Sequence, residues 1–213
     1  MNILVFAPHN DDEVLGVGGT ICKLSKAGHN VYVCEVTSGP RYKQMQEEAA
    51  KAHQVMGVKE SFFLNLPVSQ LADYSKVEIN AAIDNVVQTV KPDVVYMPFI
   101  WDMHFDHRII TEAVLVAIRP INGRLVKRAY MYETLSETGW NLSYGEHCFS
   151  PNCWVEISDT IEDKIEAMLC YQSQVKDSPH PRSVDGIRAL AAYRGSTICV
   201  PFAESFMLVR DIQ

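Results

Sequence analysis

Short apolar runs alternate along the chain with longer stretches in which apolar residues recur about every 3.6 positions. A continuous apolar run is typical of a strand in a parallel sheet that is covered on both faces. Such runs predict strands at Ile3–Ala7, Val31–Val36, Phe62–Leu66, Val94–Met97, Ala129–Glu133, Cys153–Ile157 and Phe206–Val209. The helical period predicts helices at Thr20–Gly28, Tyr42–Met56, Ser75–Val90, Arg108–Ile118, Thr160–Gln172 and Ser183–Arg194. This alternation predicts an α/β fold, a Rossmann-like three-layer sandwich with a mostly parallel sheet.

Length and composition narrow the class of protein. The 213 residues are predicted to form a single domain, 1–213. Hydrophobic residues make up 47% of the chain and charged residues 21%, which is typical of a globular protein and not of a disordered one. The formal net charge is −7 and basic residues form no run, so we expect no nucleic-acid partner. The apolar runs are much shorter than the roughly 20 residues of a membrane span.

The cysteines and the first residues indicate a compartment. None of the six cysteines belongs to a C-x-x-C pair, and some lie inside apolar runs such as VYVCEV. The opening segment MNILVFAPHNDDE lacks the basic region that begins a signal peptide. We therefore expect a cytoplasmic protein with reduced thiols, and its assembly into a homo-oligomer is left open.

The first concentration of polar residues follows the first predicted strand. His9, Asp11, Asp12 and Glu13 fall within five positions, at the carboxyl end of a strand, where open α/β sheets bind ligands. Three carboxyl groups so close together repel one another unless a cation lies between them. We therefore interpret this loop as part of a divalent-metal site.

A second concentration of polar residues, His104-Phe105-Asp106-His107, follows the strand Val94–Met97. Two histidines three positions apart at the start of a helix lie on one face or in one small arc of loop. We predict that His9, Asp12 and His107 bind Zn²⁺, because two imidazoles and one carboxylate leave a coordination position open for water. Fe²⁺ or another divalent ion is also compatible with this ligand set.

The other polar residues of the two loops are assigned to proton transfer. A bound zinc lowers the pKa of water from about 15.7 towards about 7, and Asp11 is predicted to act as general base on that water. His104 is predicted to stabilise the oxyanion as a cation and to protonate the leaving amine. Asp106 is predicted to orient His104 or support it electrostatically.

Each of these residues also has a simpler interpretation. A lone histidine at a strand end is usually structural, and an aspartate pair before a helix is often only an N-cap. The combination after two strands of one sheet favours a metal site. Gly16, Gly18 and Gly19 raise the alternative of a nucleotide-binding Rossmann module, but the pattern G-x-G-x-x-G requires a glycine where Ile21 stands.

Four residues near the predicted catalytic edge are candidates for substrate binding. Arg41 follows the second predicted strand, Asp102 precedes the histidine pair, and Glu133 ends the fifth predicted strand. Trp140 lies beyond that strand and offers an aromatic face to a sugar.

The two polar motifs resemble those of the LmbE-like (PIG-L) zinc-dependent de-N-acetylases. The family's A-H-P-D-D-E motif is matched by Pro8–Glu13, with Asn10 in place of the proline, and its H-P-D-H motif is matched by His104–His107. Asn10 removes a rigid φ angle but no ligand. The resemblance implies zinc on the three ligands named above, a general base at Asp11 and an acid or oxyanion stabiliser at His104.

The resemblance continues towards the carboxyl terminus. Lys164–Gln174 is similar to the family's K-x-x-A-x-x-x-x-x-S-Q segment, and Ala203–Phe206 is similar to its closing segment. Tyr171 stands where a histidine is common. Two departures fall at substrate-recognition positions: a family arginine is absent near Met45, and a family aspartate is replaced by Val68.

The function that the resemblance implies is removal of an N-acetyl group from a small-molecule substrate, a GlcNAc-type amino sugar or conjugate. A metal-dependent hydrolase of another acyl or ester bond remains an alternative, because the same zinc site would serve it. The nucleotide-binding module remains the alternative from a different class.

Overall fold

The structure, a computed structural model, describes residues 1–121, 125–142 and 144–213. The strands within these ranges are β1 (Asn2–Ala7), β2 (Asn30–Ser38), β3 (Glu60–Pro67), β4 (Val94–Pro98), β5 (Arg128–Tyr132), β6 (Cys153–Glu156) and β7 (Ala203–Asp211). The α-helices are α1 (Asp12–Lys26), α2 (Tyr42–Met56), α3 (Lys76–Val90), α4 (Phe105–Ala117), α5 (Ile161–Cys170) and α6 (Val184–Ser196). Every predicted strand and helix is present; α2 has the predicted bounds, and the other elements have shifted ends.

Among the described residues the strands form one sheet in the order β3-β2-β1-β4-β5-β7-β6. The pairs from β3 to β5 are parallel, whereas β7 runs antiparallel between β5 and β6. The strand order reverses at β1, whose neighbours are β2 and β4. Ligands of doubly wound sheets bind at such a switch point, beyond the carboxyl ends of the strands. The predicted α/β fold with a mostly parallel sheet is confirmed.

Two hydrophobic cores explain why the strands are continuous apolar runs. Alternate residues of β1 point to opposite faces, so Leu4 and Phe6 belong to one core and Ile3 and Val5 to the other. The first core is completed by α3 and α4, the second by α1, α2 and α5. The sheet is therefore the middle of three layers, as predicted. Within the described part of the chain, no helix has the length and apolar character needed to cross a membrane.

Two helices begin earlier than the sequence predicts. α1 begins at Asp12 and not at Thr20, and α4 begins at Phe105 and not at Arg108. His104 caps α4, because its Nδ1 accepts a hydrogen bond from the backbone N–H of Asp106 at 3.1 Å. Both polar motifs therefore lie at helix N-termini as well as at strand ends.

The three glycines of α1 serve helix packing. A Cβ atom on Gly16 would lie 2.2 Å from Cδ2 of Tyr132, and one on Gly19 would lie 2.7 Å from Cδ1 of Ile157. Close approach of α1 to its neighbours therefore excludes side chains at these positions. Because Gly16 to Gly19 are buried within the helix, they form no phosphate-binding loop. The nucleotide-binding alternative loses the feature on which it rested.

We expect Gly16→Ala to lower the free energy of unfolding by about 1–3 kcal/mol, since it inserts a methyl group into the Tyr132 ring. Alanine's higher helix propensity acts in the opposite direction, by roughly 0.5–1 kcal/mol. Urea unfolding of both proteins measures the difference. Gly139→Ala is the matched control, because a Cβ there meets nothing within 4 Å. Equal midpoints for Gly16→Ala and the wild type would contradict the packing role.

A buried ion pair connects α1 to the C-terminal elements. Lys164 of α5 and Glu204 of β7 form this pair, with the nitrogen and oxygen 2.5 Å apart. Glu204 also accepts from the backbone N–H groups of Gly19 and Thr20, and Lys164 donates to the carbonyl oxygen of Leu15. The C-terminal segments that resemble the PIG-L family therefore hold the helix whose first turn carries the polar motif.

Candidate metal centre and active-site cleft

A cleft of about 330 Å³ opens at the switch point of the sheet. It lies beyond β1, β2 and β4, and the loops that follow these strands supply half of its lining residues. The lining residues are His9, Asn10, Asp11, Thr37, Ser38, Gly39, Pro40, Arg41, Met45, Val68, His104, Glu137, Gln174 and Arg182. Both predicted polar motifs therefore contribute to one cleft.

The three predicted metal ligands converge beside this cleft. Nε2 of His107 lies 3.1 Å from Oδ2 of Asp12, and Nδ1 of His9 lies 3.3 Å from the same oxygen. His9 is partly exposed, whereas the side chains of Asp12 and His107 are fully buried. We call His9, Asp12 and His107 the candidate metal centre.

Buried atoms that could bind a metal, and that lack a hydrogen-bond partner, show that the candidate metal centre fits a divalent ion. Oδ1 of Asp12 and Nε2 of His107 are buried and have no hydrogen-bond partner, although buried polar atoms are nearly always paired. Burial acts to lower the pKa of His107, but the carboxylates of Asp12 and Asp102 raise it to about 10. His107 and His9 hold the pKa of Asp12 well below its ordinary value, despite its burial. The centre thus favours positive charge.

Asp102 supports the candidate metal centre from behind. Its Oδ2 is 2.8 Å from Nδ1 of His107, and its Oδ1 accepts from the hydroxyl of Thr138. A carboxylate on the far nitrogen of an imidazole fixes the ring for metal binding through the other nitrogen. Asp102 is fully buried and is not among the residues that line the cleft, so the structure places it behind His107 and not where a substrate-binding residue was expected.

Asp11 occupies a strained position next to the candidate metal centre. Its φ angle of 104° lies in the left-handed region that non-glycine residues rarely adopt. Burial, with the charges of Asp12 and Glu13, raises the pKa of Asp11 to about 8, and Arg182 opposes this rise. A cation at the metal centre also favours the carboxylate form. Asp11 is thus a buried carboxyl group that lines the cleft, as a general base requires.

Asp106 pairs more closely with His9 than with His104. Its Oδ2 is 3.1 Å from Nε2 of His9 and 3.8 Å from Nδ1 of His104, and it accepts from the N–H of Ser69 at 2.8 Å. The predicted orientation of His104 comes instead from the backbone N–H of Asp106. His9, His104 and Asp106 are also close enough together to bind an ion, but Nε2 of His9, Nδ1 of His104 and Oδ2 of Asp106 already take part in hydrogen bonds.

The structure separates the remaining candidates for substrate binding. Arg41 lines the cleft as predicted. Glu133 lies in a two-point ion pair with Arg194 at 2.7 and 2.6 Å, and the structure does not bring it to the cleft, where it was expected. Trp140 is exposed and is not among the lining residues; its ring lies edge-on to His180 at 5.6 Å.

Sequence reasoning missed Arg182 as a residue of the cleft. Its guanidinium donates to Asp11 at 3.2 Å and to Glu137 at 3.3 Å, so it links the predicted general base to another residue that lines the cleft. The sequence gives no signal for Arg182. Gln174, which also lines the cleft, could have been found because it ends the segment that resembles the family. Met45 and Val68, the two departures from the family, also line the cleft.

Comparison with known proteins agrees with this geometry. The family model PIG-L, GlcNAc-PI de-N-acetylase, matches residues 4–118, which include both polar motifs. The diacetylchitobiose deacetylase of Thermococcus kodakarensis is 29% identical over 231 residues, covering 99% of this chain and 84% of that protein.

Two solved structures share the fold. A conserved protein of Thermus thermophilus has a TM-score of 0.82 and 26% identity, covering 99% of this chain and 96% of its own. The N,N'-diacetylchitobiose deacetylase of Pyrococcus horikoshii has a TM-score of 0.79 and 24% identity, covering 98% and 83%. The family model spans more than half of the chain, and the chain therefore belongs to the PIG-L family of GlcNAc-PI de-N-acetylases.

Proposed function

We propose that this protein is a metal-dependent N-deacetylase, a single domain over residues 1–213 that removes the acetyl group from a GlcNAc-type amino sugar or conjugate. The observation that carries the proposal is the donor set of His9, Asp12 and His107: Asp12 and His107 have buried atoms without a hydrogen-bond partner, and His9 lines the same cleft as Asp11. Family membership and the name of the Thermococcus relative support the acetylated sugar.

The chain's own residues supply the proton transfers of amide hydrolysis. Zn²⁺ held by His9, Asp12 and His107 would lower the pKa of a water molecule towards about 7. Asp11 accepts a proton from the attacking water while the water oxygen bonds to the acetyl carbon. The carbon–nitrogen bond then breaks and the leaving nitrogen takes up that proton. The products are acetate and a free amine.

His104 has the protonation pattern of a neutral hydrogen-bond donor. Its Nδ1 accepts from the N–H of Asp106, so the proton of the neutral ring lies on Nε2. Burial and the neighbouring His9 lower the pKa of His104. His104 therefore donates a hydrogen bond to the carbonyl oxygen as negative charge develops there. This refines the sequence-based assignment, in which His104 is a cation.

Three other residues that line the cleft influence which acetylated sugar it can bind. Met45 and Val68 present apolar surface where a sugar hydroxyl finds no partner, and Arg41 adds one positive charge. We propose that the apolar face of the sugar ring packs on Met45 and Val68.

All six cysteines are free thiols, which supports the proposed cytoplasmic location. The homo-oligomer stays a prediction.

An acetate-release assay tests the proposal. The protein is stripped with a chelator, reloaded with Zn²⁺, and given N-acetylglucosamine, diacetylchitobiose and lipid-, nucleotide- and thiol-linked GlcNAc. We expect acetate release from at least one sugar by the reloaded protein only. A reloaded, folded protein that cleaves p-nitrophenyl acetate but no N-acetyl sugar would favour the hydrolase of another acyl or ester bond.

Asp102→Ala should weaken zinc binding by about 10–100-fold, because His107 loses the carboxylate that fixes its ring. Competition with a chromophoric chelator measures the affinity. Thr138→Val, which removes the hydroxyl that donates to Asp102 and accepts from the backbone N–H of Thr134, should have a smaller effect in the same direction. Asp177→Ala, at an exposed loop carboxylate, is the control. An unchanged zinc affinity in Asp102→Ala would show that Asp102 does not support His107.

A further inference from the structure

A second group of polar side chains converges inside the core, apart from the cleft. Glu13 in α1, Glu35 in β2, His53 in α2 and Tyr171 after α5 are each no more than 3% exposed. Nε2 of His53 lies 3.4 Å from Oε1 of Glu13 and 3.5 Å from Oε1 of Glu35. The hydroxyl of Tyr171 lies 2.7 and 3.1 Å from the same two oxygens. We call these four residues the core cluster.

The hydrogen bonds of the core cluster do not satisfy its polar atoms. Tyr171 has one hydroxyl proton and can donate it fully to only one of the two carboxylates. Nδ1 of His53 bonds to the hydroxyl of Ser61 at 2.7 Å, but Nε2 of His53 has no hydrogen-bond partner, and neither has Oε2 of Glu35. An unpaired polar atom in a protein core is destabilising, so the core cluster lacks a partner for these two atoms.

The charge of the core cluster points to a cation as that partner. Burial, with the neighbouring charges of Glu13, Asp11 and Asp12, raises the pKa of Glu35 well above its ordinary value. Ionisation of both buried carboxyl groups would place two negative charges in the core. One divalent ion would neutralise both of them.

We propose that His53, Glu13 and Glu35 bind a second divalent metal ion, with the hydroxyl of Tyr171 at the fourth corner. Ligands about 2.0–2.1 Å from a tetrahedral zinc are separated by roughly 3.4 Å, close to the 3.4 and 3.5 Å measured from Nε2 of His53. The bond from Ser61 fixes the ring of His53, as a neighbour of a metal ligand does. The burial indicates that the ion enters as the chain folds.

This ion would also stabilise the position of Asp11. The second oxygen of Glu13, Oε2, accepts from the backbone N–H of Asp11 at 3.2 Å. Because Asp11 has a strained φ angle of 104°, its neighbours must hold it in place. The ion would fix the carboxylate that makes this contact and so act as a structural ion.

Counting ions in purified variants tests the proposal without any activity assay. Protein refolded in excess Zn²⁺ and desalted should carry about two ions per chain by elemental analysis. His53→Gln and Glu35→Gln should each carry one ion fewer, and so should His107→Ala at the candidate metal centre. His29→Gln, in the turn before β2, is the matched control and should retain both ions. Two ions retained in both His53→Gln and Glu35→Gln would overturn the proposal.

Crystals of the wild-type protein grown with zinc provide a test that needs no variant. Anomalous diffraction at the zinc edge should show one peak between His9, Asp12 and His107 and another between His53, Glu13 and Glu35. A peak at the first place alone would overturn the core-cluster site and leave the proposed deacetylase intact. A peak at the second place alone would support the core-cluster site and contradict the candidate metal centre.

Discussion

His107→Ala should release the ion at the candidate metal centre and reduce acetate release to the background rate. Nε2 of His107 lies 3.1 Å from Asp12 and has no other partner, so the ion loses a ligand that no neighbouring side chain replaces. The loss of zinc affinity should exceed the roughly 10–100-fold that follows loss of a supporting residue. Elemental analysis and acetate release from an N-acetyl sugar measure the two effects.

The control for His107→Ala is His29→Ala, which removes a half-exposed imidazole far along the chain from either polar motif. Circular dichroism checks that both variants fold, because the alanine leaves Asp12 and Asp102 without the imidazole that lies between them. A folded His107→Ala protein with wild-type ion content and turnover would contradict the assignment of the centre.

The predicted architecture was confirmed because burial on both faces leaves a strong local signal. β1, β2 and β4 each contain a buried apolar run, and the two polar motifs follow β1 and β4. Carboxyl ends of parallel strands meet at one edge. The convergence of His9, Asp12 and His107 was therefore predictable from their positions in the chain.

The start of α1 was not predictable in the same way. Gly16, Gly18 and Gly19 lower helix propensity, and the local pattern accordingly indicates a loop. Their helical conformation depends on Tyr132 and Ile157, whose rings and methyl groups occupy the space of the missing side chains. Those partners lie far along the chain, and no short sequence window contains both sides of the contact.

The same limit applies to the partners of the site. Arg182 contacts Asp11, from which it is separated by 171 positions in the chain. Glu133 pairs with Arg194, 61 positions away, and not with the residues of the cleft. Asp102 precedes the histidine pair of the second motif, and Asp106 lies between the two histidines. Their spacing does not show that Asp102 supports His107 whereas Asp106 supports His9. Motif residues are predictable by type, whereas their roles depend on side-chain geometry.

Asp11→Asn should lower kcat for deacetylation by about 10²–10⁴-fold, the usual contribution of a general base, while zinc content stays at the wild-type level. The amide cannot accept the proton of the attacking water, yet it keeps the size of the side chain, and Asp11 is not one of the three ligands of the candidate metal centre. Steady-state acetate release and elemental analysis on the same preparation separate the two roles. Asp177→Asn, at an exposed loop carboxylate, should match the wild type in both measurements. Loss of zinc in Asp11→Asn would identify Asp11 as a ligand, and full turnover with zinc bound would exclude it as the base.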